Sequence, residues 1–217
     1  MAKPEINDVP LEIFFDFLCP YVYRAAMWLQ VVKREMGPKL CITWRYFSLE
    51  QVNNMEGPGW KLWEQPEDYA SRGRLAFRAA ESARSQGETA FNSFHVALLK
   101  ARHEDCRDMA DESVLIEVAQ GAGLDKSRFR SELIRRGPLE VLARDHTFAV
   151  ETLGVFGTPT LVFPQGQAIF LKLSEVPPPE ESLAVFLEIH QQVDRRRYIQ
   201  ETKRTRLESF PGSGRRG

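Results

Sequence analysis

Apolar positions along the chain fall first at every second residue and then at helical spacing. In "LEIFFDF", Leu11, Ile13, Phe15 and Phe17 share one side while Glu12, Phe14 and Asp16 share the other, the period of a strand with a buried face. From Pro20 the spacing changes: Val22, Ala25, Ala26, Leu29, Val32 and Met36 mark one side of a helix that Gly37-Pro38 stops. "LCITWRYF" then alternates again through Leu40, Ile42, Trp44 and Tyr46. Strand, helix and strand within residues 11–47 predict a right-handed unit with parallel strands.

After a loop rich in Asn, Gly and Trp, "SLEQVNNMEGPGWKLWEQP", strand alternation disappears and helical patterns run over 69–86, 88–103, 111–121, 125–135 and 138–153. Asp111 ahead of "ESVLIEVA" supplies a helix-starting cap, and Pro138 stands at a first-turn position. Strand character returns in "TLVF" and "AIFLKL", joined as a hairpin through Pro164, Gln165, Gly166 and Gln167. Beyond Pro177-Pro178-Pro179, "EESLAVFLEIHQQV" has the spacing of a final amphipathic helix. The basic stretch 201–217 ends in Gly and Ser and is expected to be a disordered tail. The pattern predicts an α/β fold in two parts: a discontinuous domain over 9–65 and 150–200, interrupted by an all-helical insertion over 66–149.

Composition narrows the partners. The 217 residues carry 29 Lys+Arg against 30 Asp+Glu and are 43% hydrophobic, enough to bury a core without metal or disulfide support. Near neutrality offers no general field for nucleic acid or an anionic membrane, and no run of 18 apolar residues exists to span a bilayer. The polar opening before Leu11 reads as a leader into a strand, not a secretory signal. Three cysteines, Cys19, Cys41 and Cys106, are too few and too scattered for a disulfide framework or a paired-cysteine zinc site. No metal is expected, and a reducing cytoplasm is the expected compartment.

The candidate chemistry gathers at "FDFLCPYVY". Proline is favoured at a first helical position because its missing N–H would have no intrahelical partner there, so Cys19 becomes the N-cap. Its sulfur would face unpaired N–H groups and the positive end of the helix dipole, which stabilise negative charge. Cys19 is therefore either a nucleophile or a small apolar residue packed at the strand end.

Three stretches, "FFDFLCPYVY", "CRDMADESVLIEVAQGAGLD" and "LGVFGTPTLVF", together with the element order, carry a resemblance over nearly the whole chain. The sequence resembles the DsbA-like branch of the thioredoxin superfamily, which includes cytoplasmic relatives, kappa-class glutathione transferases and 2-hydroxychromene-2-carboxylate isomerases. The resemblance implies a thioredoxin-like fold with a helical insertion and a cis peptide bond before Pro159, lying against Cys19. Thr158 would then present its backbone to an extended peptide or a small thiol by strand addition. Disulfide-exchanging members carry Cys-x-x-Cys, whereas this chain reads Cys-Pro-Tyr-Val, with Val22 where a resolving thiol would stand. Transferase and isomerase members have Ser at the Cys19 position, so the chain matches neither pattern.

Around this centre, Asp16 either relays protons to the sulfur or ties down the loop backbone. Pro20 and Tyr21 stand in the first turn, with Tyr21 the better placed of the nearby tyrosines to touch substrate. Trp60 and Trp63 either form a lid over the cleft or plug the seam between the two parts. Cys41 is expected in the core, and His95 at an interface. Cys106 is either a distal resolving thiol or an exposed one, and its spacing from His103 suits a metal but has no second pair.

Three functions follow from these residues. The first is disulfide oxidoreduction through a single nucleophilic cysteine, with no tightly bound cofactor and a low-molecular-weight thiol such as glutathione as cosubstrate. The others are glutathione-dependent transfer or isomerisation, and a non-catalytic binding module. Expected partners are a small thiol or a thiol-containing protein, without nucleic acid or membrane; the sequence leaves a homodimer open.

Overall fold

The computed structural model describes residues 8–134, 137–164, 167–196 and 198–199. The expected tail over 201–217 and the two central residues of the 164–167 turn lie outside them. Strand β1 (Val9–Phe15), helix α1 (Pro20–Met36) and strand β2 (Leu40–Tyr46) open the chain. A one-turn helix α2 (Leu49–Val52) follows, then α3 (Arg74–Arg84), α4 (Glu88–His103), α5 (Glu112–Gly121) and α6 (Lys126–Leu133). Helix α7 (Gly137–Leu153) leads back to β3 (Thr160–Phe163), β4 (Gln167–Phe170) and α8 (Pro179–Arg195).

The strands form one sheet in the order β2-β1-β3-β4. β1 and β2 are parallel, with Val9 opposite Leu40 and Phe15 opposite Tyr46, while β3 runs antiparallel to both β1 and β4. This is the α/β arrangement with a helical excursion between β2 and β3 that the sequence implies.

One face of the sheet buries Leu11, Ile13 and Phe15 against Trp28 of α1, Phe186 of α8 and the insertion's Phe77, Phe91 and Phe94. The other buries Phe14, Phe47 and Val162 against Ala149 and Val155. Helix α7 continues without a break across the expected boundary between 149 and 150, and it is joined to β2 as well as to the insertion.

Alternate residues of β2 point their backbone polar groups outward because β2 is an edge strand. Those groups are met by side chains. The Tyr46 N–H donates to Asp145 Oδ2 at 3.3 Å, the Ser48 N–H to His146 Nδ1 at 3.1 Å, and the Trp44 carbonyl accepts from Arg84 Nη2 at 3.2 Å. Covering an edge in this way removes a template for unwanted strand pairing.

Several expectations need correction. The helix predicted from 69 starts only at Arg74: the Ser71 hydroxyl accepts the Arg74 N–H at 2.9 Å, the amide that a helix through 69–73 would have bonded to the Ala70 carbonyl. The Gln65, Pro66 and Glu67 carbonyls just ahead accept from the buried Arg74 guanidinium at 3.0, 2.9 and 2.9 Å. Helix α2 carries too short a pattern to be read; Ser48 caps it by accepting the Gln51 N–H at 3.0 Å. β4 ends at Phe170, short of the "AIFLKL" run. Cys41, expected in the core, is exposed, with Sγ 3.5 Å from the Pro38 carbonyl. Alternation assigns it to a side of β2, and α7 covers that side only toward Arg45.

Candidate active site around Cys19

The turn that delivers Cys19 is written by Asp16. Immediately beyond β1, the Asp16 carboxylate accepts the Leu18 N–H at 2.8 Å and the Leu49 N–H at 2.7 Å, while its carbonyl accepts the Cys19 N–H at 3.1 Å. Asp16 is buried, and burial pushes its carboxyl up to about 6 against the opposing pull of the two amide bonds. Of the two roles considered for it, fixing the loop backbone is the one its bonds perform.

Cys19 is the N-cap of α1, extended at φ −86 and ψ 116, with Pro20 as the first helical residue and no acidic side chain in the first turn. Its carbonyl accepts from the amides of Val22 at 3.1 Å and Tyr23 at 3.3 Å. The thiol takes no hydrogen bond from the amides of the first turn; Sγ instead donates to the Thr158 carbonyl at 3.2 Å. The Thr158-Pro159 peptide bond is cis. Cys19, Thr158 and Pro159 are therefore brought together from opposite ends of the chain. The Cys19 residue is only 4% exposed.

The loop that presents Thr158 is held independently of the sulfur. Thr160 Oγ1 donates to the Gly157 carbonyl at 2.8 Å, and the Leu171 N–H donates to the Pro159 carbonyl at 3.0 Å. Gly157 passes so close to Phe170 that an added Cβ would meet the ring at 3.0 Å. The hydroxyl of Thr158 is buried and has no hydrogen-bond partner among the described residues.

Tyr21 lies half-buried between two cations, with the Arg24 guanidinium 5.5 Å and the Lys172 ammonium 5.2 Å from its ring centre. Arg24 also donates to the Leu173 carbonyl at 3.0 Å, tying α1 to the chain beyond β4. The rings of Trp60 and Trp63 pack against Tyr69 at 5.8 Å and His146 at 5.6 Å, both residues of the insertion.

His95 is enclosed by Trp44, Phe15, Phe17 and Phe91, at ring distances of 4.2, 4.7, 5.5 and 5.7 Å, and its Nε2 has no partner among the described residues. Burial, with Arg84 nearby, lowers its imidazole to about 3. It is a neutral interface residue.

Two contacts at the site escape sequence reading. His103 Nε2 lies 2.9 Å from the Phe17 carbonyl, and the Tyr23 hydroxyl donates to Glu104 Oε1 at 2.7 Å. Together they clamp the end of α4 onto the residues either side of Cys19. Burial holds His103 below its ordinary value, aided by Arg102 and Arg24, against the Phe17 hydrogen bond. The partners are 86 and 81 positions apart, so no local pattern signals them. Cys106 follows in this connection, exposed and at φ 55. Among the described residues, no group of three or more His, Cys, Asp and Glu could hold a metal ion. No helix among them is long and apolar enough to cross a membrane.

Known proteins resemble the chain in sequence or in fold. The chain is 26% identical over 168 residues, 77% of its length and 70% of the relative's, to uncharacterized protein Rv2286c of Mycobacterium tuberculosis. The structure of 2-hydroxychromene-2-carboxylate isomerase matches with a TM-score of 0.61 at 19% identity, covering 89% of this chain and 100% of that one. The cytosolic disulfide reductase DsbM from Pseudomonas aeruginosa matches with a TM-score of 0.59 at 20% identity, covering 85% and 99%, and has also been solved with GSH. Both structural likenesses are likenesses of fold. The model of the DSBA-like thioredoxin domain matches residues 10–175, and with the cysteine at the head of α1 facing a cis-proline loop, the chain belongs to that family.

Proposed function

We propose that the protein is a cytoplasmic thiol-disulfide oxidoreductase that works through Cys19 alone and cycles with a small thiol. The observation that carries this reading is the 3.2 Å contact between Cys19 Sγ and the Thr158 carbonyl at the N-terminus of α1. That contact sets the sulfur beside a backbone edge able to align a second sulfur-bearing chain.

The Cys19 thiolate attacks a mixed disulfide between a protein and a small thiol. The S–S bond breaks, the protein thiolate leaves, and Cys19 holds the small thiol in a new disulfide. A second small-thiol anion attacks that disulfide, releasing the oxidised small disulfide and the Cys19 thiolate. In sum one free small thiol is consumed, the mixed disulfide is reduced to the protein thiol, and the small thiol leaves as its disulfide. Val22 at the fourth motif position excludes a resolving attack from the next helical turn. Thr158 and Pro159 present the substrate backbone, and Pro20 and Tyr21 border it. The likeness to DsbM, solved with GSH, supports a small thiol of that kind.

The 4% exposure of Cys19 favours a second reading, a thioredoxin-like binding module with an inert thiol. Mass spectrometry after incubation with glutathione disulfide separates the two. A glutathione adduct on Cys19, lost in Cys19→Ser together with exchange activity, is the expected result. A bare Cys19 beside a modified Cys106 overturns the assignment, and turnover that survives Cys19→Ser moves the protein to the transferase or isomerase class.

A further inference from the structure

A cleft of about 550 Å³ opens beside the Cys19 turn, between the loop at 70–72 and the connection after α4. Its size suits a small molecule. Leu18, one residue before Cys19, and Met109 supply apolar surface, while Arg72, Arg102 and Asp108 supply charge.

Neither guanidinium is held in an ion pair among the described residues. Arg72 makes no hydrogen bond or ion pair among the described residues, and Arg102 makes one long bond, to the Arg107 carbonyl at 3.4 Å. Asp108 is engaged through Oδ1, which accepts the Ala110 N–H at 2.9 Å. Both arginines also act on the shell around the sulfur: Arg72 opposes the rise of the Asp16 carboxyl, and Arg102 lowers His103. Asp16 acts on Arg72 from behind the lining and Glu50 accepts from the lining Ser71 at 2.7 Å, so what the cleft offers is two guanidinium groups beside Asp108, within a side chain of the reactive turn.

Resting on the thiol-exchange reading, we infer that this cleft binds a carboxylate of the small thiol or disulfide that reacts at Cys19. Arg72 and Arg102 clamp the carboxylate through charge-assisted hydrogen bonds, and Leu18 and Met109 pack the carbon chain that joins it to sulfur. The cysteine supplies the chemistry, and the two arginines select acidic thiols over neutral ones.

The test compares rates of mixed-disulfide formation at Cys19 with 3,3′-dithiodipropionate, which carries carboxylates, and bis(2-hydroxyethyl) disulfide, which is neutral. The expected ratio favours the acid, falls about tenfold in Arg72→Met/Arg102→Met, recovers largely in Arg72→Lys/Arg102→Lys, and shrinks as salt rises. Equal ratios in wild type and the methionine variant overturn the inference. So does a preference seen only with disulfide peptides bearing Glu rather than Gln beside cysteine, which would assign the cleft to protein substrates.

If Cys19 takes up neither reagent, the exchange reading fails by itself. The cleft is then decided by calorimetric titration with 3,3′-thiodipropionate, a thioether that cannot exchange. Binding that weakens about tenfold in the methionine variant supports the clamp, and no binding to wild type removes it.

Discussion

The two faces of the sheet are closed by different means. On the face of Leu11, Ile13 and Phe15, closure is apolar: α1, α8 and the insertion bury large side chains continuously with the strands. On the face of Phe14, the apolar cluster is small and α7 is fastened by polar groups instead. Arg45 bonds Glu12 at 3.2 Å and Asp145 at 3.0 Å while lying over the rings of Phe14 and Phe148 at 5.4 and 4.7 Å. Apolar burial tolerates sliding, since it is nearly non-directional. Hydrogen bonds fix register and orientation. The loop carrying Thr158 leaves from the end of α7, so the polar face sets where the sulfur's partner lies.

Removing the central polar fastener is the severest way to break this contrast. Asp145→Ala leaves Arg45 with only Glu12, which is half-exposed, and leaves the buried Tyr46 N–H without an acceptor. We expect a loss of about 4 kcal/mol in urea unfolding. A loss below about 1 kcal/mol would mean that apolar burial closes both faces.

The next effect is a pH dependence specific to the polar face. Burial, with Lys61 adding, lowers His146 to about 4, below its value of about 6.5 in the unfolded chain. A depressed value means that its contribution is present above pH ~6.5 and lost as pH falls through about 4, where a protonated Nδ1 can no longer accept from Ser48. The size is about 3 kcal/mol. His95, lowered to about 3 within the apolar face, acts in the same direction over a wider range, from pH ~6.5 down through about 3. Unfolding measured across this range should show His146→Leu lowering the histidine slope by about half above pH ~4 and leaving the decline below it. A uniform flattening would mean that the two faces do not titrate independently.

How much of this was legible depends on range. β1, β2, α1 and α4 declare themselves through local period, and α4 begins and ends where its pattern does, at Glu88 and His103. Cys19 at the head of α1 follows from Pro20 beside it. The cis bond before Pro159 was readable only through family resemblance, since its own residues look like an ordinary turn. Asp145 and His146 gave no signal, because they meet Tyr46 at the end of β2 and Ser48 just beyond it, nearly a hundred positions away. Cys41 misled for a related reason: alternation tells which side of a strand a residue takes, and only the tertiary fold tells whether that side is covered. Residues 69–73 misled in the opposite sense, since the Ser71 hydroxyl takes the Arg74 N–H that a helix through them would have used.

The smallest effect has the opposite sign and belongs to the place where the two faces meet. Asp16 is raised from 3.8 to about 6 in the folded chain, so the native state holds this proton more tightly than the unfolded one. Its contribution is therefore fully present below pH ~4 and lost as pH rises through about 6, by roughly 2 to 3 kcal/mol. His146 and His95 titrate in the opposite direction over the same range, so the contribution is read as a difference: the profile of the parent minus that of Asp16→Asn should fall between about pH 4 and 6 as pH rises. Carbon-13 titration of the Asp16 carboxyl should give a midpoint near 6; a midpoint near the ordinary 3.8 would mean that the two amide bonds cancel burial. The sign carries the argument. Near neutral pH the ionised carboxylate grips the Leu18 and Leu49 amides with charge-assisted bonds, so the turn holding Cys19 is fastened most firmly under conditions in which Asp16 contributes least to the stability of the fold.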